Sequence, residues 1–248
     1  MKTWLNRLPS LLALACLALV FTTSPAAAAL RADCAMGDVA PQPEAAYQTA
    51  HTAAVAKIAR VQPDTVFLGD SIVESFAAPP SRPIWRQYYG PYKPANLGMP
   101  RDTTANLLWR LRQGELSGGH PKVVVILIGT NDRRCKWNAN HTVAAIGKIV
   151  SEVRTQKPDA RILVVGLLPK ADHDERDAIN KALKQRYATG RDARFVDVSA
   201  PFLTSAGQLN LPLYREKAAA HALHPNPSGV EAIAQLLAPE IGKAMRRP

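Results

Sequence analysis

Two hydrophobic spacings alternate along the chain. Short apolar runs predict buried strands at 66–68, 123–128, 162–168 and 195–198, with a weaker run at 95–97. Apolar residues spaced three and four apart predict helices at 44–60, 103–116, 142–153, 179–187 and 230–241. Strands that alternate with helices typically form a parallel sheet whose two faces are both covered.

Five strands joined by helices predict an α/β fold. The expected architecture is a three-layer α/β/α sandwich with a flavodoxin-like, five-stranded parallel sheet in the order 2-1-3-4-5. In that order the carboxyl ends of the first three strands are neighbours, at the crevice where such sheets bind ligands. No repeat or second domain is visible, so 30–248 is predicted to be a single domain.

The first 29 residues have a different composition. Lys2 and Arg7 precede an apolar run at 11–21, which is followed by small residues up to Ala29. The run is shorter than the roughly 20 residues that a membrane-spanning helix needs. We therefore interpret 1–29 as a secretory signal peptide, with an uncleaved anchor as the alternative. The mature protein is then exported, either periplasmic or secreted, with no stable membrane span.

Two cysteines remain after the predicted cleavage. Cys34 and Cys135 could form a disulfide in an oxidising compartment, and two free thiols are the alternative.

The chain is basic, with a formal net charge of +11. It has no run of five Lys or Arg, and aromatic residues make up only 6%, so nucleic acid is not an expected partner. Arg133, Arg134 and Lys136 lie close to a predicted strand end. A solvated loop is the favoured interpretation of this cluster, and contact with an anionic substrate is the alternative.

Chemically useful residues follow the first three strands. Ser71 lies in a strand-to-helix turn, where its hydroxyl would stand above the sheet edge. The N–H of Gly98 and the side-chain amide of Asn131 could donate hydrogen bonds to a developing oxyanion. His224, just before the last helix, is the best placed histidine to act as a base for Ser71.

These residues resemble a known family. The blocks Gly69-Asp70-Ser71-Ile72, Gly98, Gly129-Thr130-Asn131-Asp132 and Leu223-His224-Pro225 resemble, in order, those of the SGNH or GDSL hydrolases. Further blocks are similar to the catalytic subunits of platelet-activating-factor acetylhydrolase and their bacterial relatives: Ile84-Trp85-Arg86, Leu108-Trp109-Arg110-Leu111 and Gly166-Leu167-Leu168-Pro169. The resemblance implies a serine esterase in which Ser71 attacks and His224 takes its proton. It also implies that the Ser71 N–H, the Gly98 N–H and Asn131 hold the oxyanion, and that Asp70 is a supporting residue.

One position departs from the family pattern. The family places the triad Asp three residues before the His, and this chain has His221 there. Losing a triad carboxylate costs up to about 10⁴ in turnover. Three outcomes are open: another acceptor, such as a backbone carbonyl or Asp197, orients His224; neutral His221 accepts the Nδ1 proton and gives a slow enzyme; or hydrolysis is lost.

The expected function is removal of short, acetyl-like acyl groups from a carbohydrate, lipid or small-alcohol ester through an acyl-Ser71 intermediate. An acyltransferase that modifies a polysaccharide and a catalytically weak binding protein are the alternatives. No cofactor is expected. His221 and His224 lack the neighbouring ligands that a metal site would need. The oligomeric state is left open.

Overall fold

The computed structural model describes residues 45–171, 174–190 and 193–246. The predicted signal peptide at 1–29 and Cys34 lie outside the described residues. The strands are β1 (Thr65–Gly69), β2 (Pro94–Gly98), β3 (Val123–Leu127), β4 (Arg161–Val165) and β5 (Arg194–Val196). The helices are α1 (Ala45–Val61), α2 (Ser71–Phe76), α3 (Arg82–Tyr89), α4 (Thr104–Arg112), α5 (Ala139–Gln156), α6 (Asp174–Arg186) and α7 (Pro227–Met245).

The five strands form one parallel sheet in the order β2-β1-β3-β4-β5, which confirms the predicted fold. Every residue of β1 and of β3 is buried, as expected for central strands that are covered on both faces. Helices lie on both sides: α4, α5 and α6 pack side by side, and α3 packs against α7. The weak apolar run at 95–97 is confirmed as part of β2.

Two short helices, α2 and α3, had no counterpart among the predicted elements. With 6 and 8 residues, α2 spans fewer than two turns and α3 only just over two, which is too short for an apolar stripe to be recognised in the sequence. Tertiary packing stabilises α3, since Trp85 and Tyr89 place their rings against Phe67 of β1 at centroid distances of 4.8 and 4.9 Å.

Among the described residues, no helix is both long and apolar enough to cross a membrane. Cys135 ends a short 3₁₀ turn after β3 and is in a disulfide bond. Its partner lies outside the described residues, so the pairing with Cys34 stays a prediction.

Candidate active site

Ser71 is the first residue of α2 and follows β1 almost directly. The carboxylate of Asp70 caps this helix by accepting a hydrogen bond from the Ile72 N–H at 2.9 Å. Burial raises the pKa of Asp70 to about 7, although the hydrogen bond from Ile72 opposes that shift. Asp70 therefore orients the start of the helix that presents the Ser71 hydroxyl at the carboxyl edge of the sheet.

The fold brings Ser71 and His224, which are 153 residues apart in the sequence, into contact. The Ser71 Oγ lies 3.1 Å from Nε2 of His224. On the other side of the ring, Nδ1 of His224 lies 2.7 Å from Oε1 of Glu216. An ionised carboxylate can only accept, so Nδ1 carries the proton and Nε2 is left to accept from the serine hydroxyl. The three side chains form one continuous hydrogen-bonded chain.

The other carboxylate oxygen of Glu216 is held by the backbone. Oε2 accepts from the N–H groups of Leu223 and His224 at 3.1 and 3.0 Å. Burial acts to raise the pKa of Glu216, but the hydrogen bonds from the His224 side chain and from these N–H groups outweigh it and lower the pKa overall. The carboxylate therefore stays ionised at neutral pH, as the partner of an imidazolium must.

A short pairing of backbone segments places Glu216 beside His224. Tyr214 and Pro225 form an antiparallel bridge, and the Arg215 N–H donates to the His224 carbonyl at 2.9 Å. The buried Tyr214 hydroxyl donates to the Pro169 carbonyl at 2.6 Å, which fixes this pairing against the segment after β4. The chain thus turns back on itself between 216 and 223, and a residue eight positions before the histidine contacts the ring.

Sequence reasoning missed Glu216. His221 is exposed, and among the described residues the side chain bonded to His224 Nδ1 is that of Glu216. Asp197, named as an alternative acceptor, accepts instead from the N–H and Oγ of Ser199 at 2.9 and 2.6 Å. A signal was present, because Glu216 is the only carboxylate between Asp197 and Glu231.

The three predicted oxyanion donors differ in whether their N–H groups are already hydrogen-bonded. Asn131 uses one amide hydrogen on the Asp102 carbonyl at 2.9 Å, which leaves the second for a ligand. The Ser71 N–H is among the first-turn donors of α2 that have no partner within the helix. The Gly98 N–H, by contrast, donates to Asn96 Oδ1 at 2.9 Å, so its predicted role would require that bond to break.

Gly98 has a clear packing role. A Cβ at this position would lie 2.2 Å from the Glu74 nitrogen and 2.8 Å from the Asp70 carbonyl oxygen. Only glycine lets the end of β2 approach the start of α2 this closely.

The loop after β2 offers another backbone donor. Its turn is closed by the Asp102 N–H, which donates to the Met99 carbonyl at 3.3 Å. Pro100 and Arg101 are the central residues, and Arg101 has a φ of 72°, in the region that normally favours glycine. Within the described part of the chain, the Arg101 N–H has no hydrogen-bond partner. The turn adjoins the Asp102 carbonyl that Asn131 contacts, so this N–H is a candidate oxyanion donor.

A buried charge network holds this loop in position. Arg110 is fully buried, donates from Nε to Asp102 Oδ2 at 2.9 Å, and pairs with Glu115. Its Nη2 lies 3.4 Å from the Gly69 carbonyl oxygen, at the end of the strand that leads to Ser71. Tyr47 donates to Asp102 Oδ1 at 2.8 Å. Arg110 thus ties the strand end that bears the nucleophile to the loop that holds Asn131.

Asp132, the residue after Asn131, fixes the other side of the site. It accepts from the N–H and Oγ1 of Thr104 at 2.9 and 2.8 Å, and from Thr142 Oγ1 at 3.0 Å. Burial raises the pKa of Asp132 to about 6, against the effect of these hydrogen bonds. Asp132 therefore joins the end of β3 to α4 and α5.

Among the described residues, no group of His, Cys, Asp and Glu side chains could hold a metal ion.

A hydroxyl, an imidazole and a carboxylate in series, here at the carboxyl edge of a parallel α/β sheet, are the arrangement that serine hydrolases use. The model of the GDSL-like lipase/acylhydrolase family matches residues 67–232. The chain belongs to this family, which confirms the resemblance found in the sequence.

Known proteins similar to this chain agree with that assignment. Subunit alpha2 of platelet-activating factor acetylhydrolase IB from Rattus norvegicus is 32% identical over 154 residues, which cover 60% of this chain and 65% of the relative. The match therefore spans slightly less than two thirds of that relative.

Solved structures share the fold. A GDSL-like lipase from Bacteroides thetaiotaomicron superposes with a TM-score of 0.60 at 22% identity, covering 80% of this chain and 98% of the other. A carbohydrate esterase family 3 structure from Talaromyces cellulolyticus gives 0.55 at 17% identity, covering 73% and 98%.

Proposed function

We propose that the protein is an exported carboxylic-ester hydrolase that removes short acyl groups through an acyl-Ser71 intermediate. The observation that carries this proposal is the continuous chain from Ser71 through His224 to Glu216, with separations of 3.1 and 2.7 Å. His224 takes the Ser71 proton as the hydroxyl attacks the ester carbonyl, and it returns that proton to the leaving alcohol. Water then attacks the acyl-enzyme with His224 again as the base.

Glu216 acts in this mechanism as a positioning residue. It holds the Nδ1–H tautomer of His224 and stabilises the imidazolium that forms when the ring accepts the Ser71 proton. The carbonyl oxygen, which becomes negative during attack, is held by the Ser71 N–H, the Asn131 amide and a backbone donor from the loop after β2. We assign that third donor to the Arg101 N–H rather than to the Gly98 N–H, which is bonded to Asn96.

The substrate class is part of the proposal. The name of the Rattus norvegicus relative and that of the Talaromyces cellulolyticus structure both refer to cleavage of esters, the former of an acetyl group. These names support a carbohydrate, lipid or small-alcohol ester as the substrate and an acetyl-like acyl group. Initial rates on p-nitrophenyl esters from acetyl to octanoyl test the acyl length, and a maximum at octanoyl would contradict it.

Export is also proposed. It is supported by the composition of 1–29 and by the disulfide at Cys135, since disulfides persist mainly in oxidising compartments. Fractionation of the cells followed by N-terminal sequencing of the protein tests it. Full-length protein in the cytoplasm would contradict it.

Two other functions were open from the sequence. The hypothesis of a catalytically weak binding protein was based on the absence of a carboxylate at position 221. The contact between Glu216 and His224 argues against it, because Glu216 supplies a carboxylate to the imidazole. An acyltransferase would use the same acyl-Ser71 intermediate with a sugar hydroxyl in place of water. Partition of a labelled acetyl group between water and an added sugar separates the two: the hydrolase releases free acetate even at high sugar concentration.

Because Glu216 already accepts from His224 Nδ1, placing the family's Asp at position 221 should not increase the esterase activity. We expect His221→Asp not to raise kcat/KM on p-nitrophenyl acetate, a neutral ester, and His221→Asn serves as the uncharged control. A tenfold or greater increase for the Asp variant alone would mean that the imidazole lacks a carboxylate partner in solution, and would contradict the role given to Glu216.

A further inference from the structure

A positively charged cavity opens beside the candidate active site. Its volume is about 290 Å³, and its lining includes Asn131 and Leu223, which also belong to the site. Leu223 donates to Glu216 and precedes His224, while Asn131 is a proposed oxyanion donor. The cavity is therefore placed to hold one part of an ester whose carbonyl group lies at Ser71.

Among the described residues, the charged side chains that line this cavity are basic. Arg133 and Arg134 line it from the turn after β3, and Lys170 lines it from the segment after β4. Among the described residues that line it, none is a carboxylate. Two described carboxylates adjoin this lining. Glu216 accepts from the Leu223 N–H at 3.1 Å and is already bonded to His224, and Glu175 lines a smaller cavity that shares Arg133 and Lys170.

Arg133 and Arg134 are the residues of this cavity whose guanidinium groups have no other partner in the part of the chain that the structure describes. Across residues 45–171, 174–190 and 193–246, neither side chain has a hydrogen bond or an ion pair, although both are exposed. A guanidinium presents a planar set of donors that matches the paired oxygens of a carboxylate or phosphate. The position of Arg133 and Arg134 within a short 3₁₀ turn directly after Asn131 keeps them close to the reacting carbonyl.

We propose that this cavity binds an oxyanion carried by the substrate, so that the preferred substrates are short-chain esters with a phosphate or carboxylate on the alcohol part. The inference rests on the proposed esterase function and specifies its substrate class. It also changes the interpretation of Arg133 and Arg134, which the sequence favoured as part of a solvated loop.

Two matched pairs of acetyl esters test the proposal. The carboxylate arm compares O-acetylglycolate with the neutral O-acetylglycolamide, and the phosphate arm compares 1-acetylglycerol 3-phosphate with 1-acetylglycerol. One charge-assisted contact should make kcat/KM about tenfold higher for the anionic member of at least one pair. The pair with the larger ratio identifies which anion the cavity prefers.

The variant R133Q/R134Q should reduce that ratio to within about twofold of unity, because the neutral glutamines keep polar groups but lose both charges. The control K148Q/K181Q removes the same formal charge from exposed positions on α5 and α6, and it should keep the wild-type ratio. Equal kcat/KM values for both members of both pairs, or the same loss in the control, would overturn the proposal.

Binding separates this inference from the proposed function. Calorimetry with Ser71→Ala and each anionic ester measures the cavity without turnover. If wild type hydrolyses no ester while Ser71→Ala still binds the anionic ester better than its neutral partner, the esterase proposal fails and the oxyanion site stands. If neutral esters are hydrolysed with no preference for charge, only the oxyanion site fails.

Discussion

Ser71→Ala should lose nearly all of its activity on p-nitrophenyl acetate, with kcat falling by roughly 10⁶, as found when the nucleophile of a triad is removed. Removal of the hydroxyl leaves His224 and Glu216 in place but deprives them of the atom that attacks. The measurement is kcat after subtraction of the uncatalysed rate. Intact-protein mass adds a direct observation, because wild type should gain one acyl group and the variant none.

The control for this change is Ser151→Ala. Ser151 lies on the exposed side of α5 and its hydroxyl donates to the Gly147 carbonyl, so removal of that hydroxyl should leave kcat unchanged. Thermal unfolding of both variants should resemble that of wild type. Wild-type turnover by Ser71→Ala would end the case for a serine nucleophile at this position.

Glu216→Gln should lower kcat by about 10⁴, the loss seen when a triad carboxylate is replaced by its amide. The amide keeps the size of the side chain but removes the charge that stabilises the imidazolium. Its NH₂ group, if it faces Nδ1, would also favour the wrong tautomer of His224. KM should change little, because Glu216 acts through His224 and does not touch the ester. A split of this kind between kcat and KM distinguishes positioning from general loss of structure.

Asp197→Asn is the matched control, since it makes the same chemical change on the carboxylate that the sequence suggested. Asp197 is exposed and bonds to Ser199, so kcat should stay within about twofold of wild type. If Asp197→Asn proved the more damaging change, or if Glu216→Gln kept full activity, Glu216 would not be the residue that orients His224.

The fold was predictable because its signals are local. The apolar runs that form β1 and β3 are nearly uninterrupted, as strands buried on both faces require, and the amphipathic stripes between them predict the covering helices. No apolar spacing predicted the extent of α2 or the presence of α3. They are short, and α3 depends on rings of Trp85 and Tyr89 that pack against Phe67, a contact that no spacing within 82–89 reveals.

The candidate site was predictable where its residues follow strands. Ser71 and Asn131 come just after β1 and β3, and parallel strands bring their carboxyl ends to one edge. Gly98 comes at the end of β2, yet its N–H is bonded to Asn96, a detail that depends on the side-chain conformation of Asn96. Position on a strand therefore predicts proximity but not which hydrogen bonds remain free.

By itself, the sequence determined the alternation of buried strands with helices and the family, because burial periodicity and short motifs are properties of neighbouring residues. The order 2-1-3-4-5 was expected only because it is common among such sheets, and the strand pairing in the folded protein confirms it. Only the tertiary structure decided which carboxylate meets His224. The pairing of 213–215 with 224–226 shortens a separation of eight residues to 2.7 Å between Glu216 and the ring. Such a contact depends on how the backbone turns back on itself, and a motif based on fixed spacing from the histidine contains no information about that path.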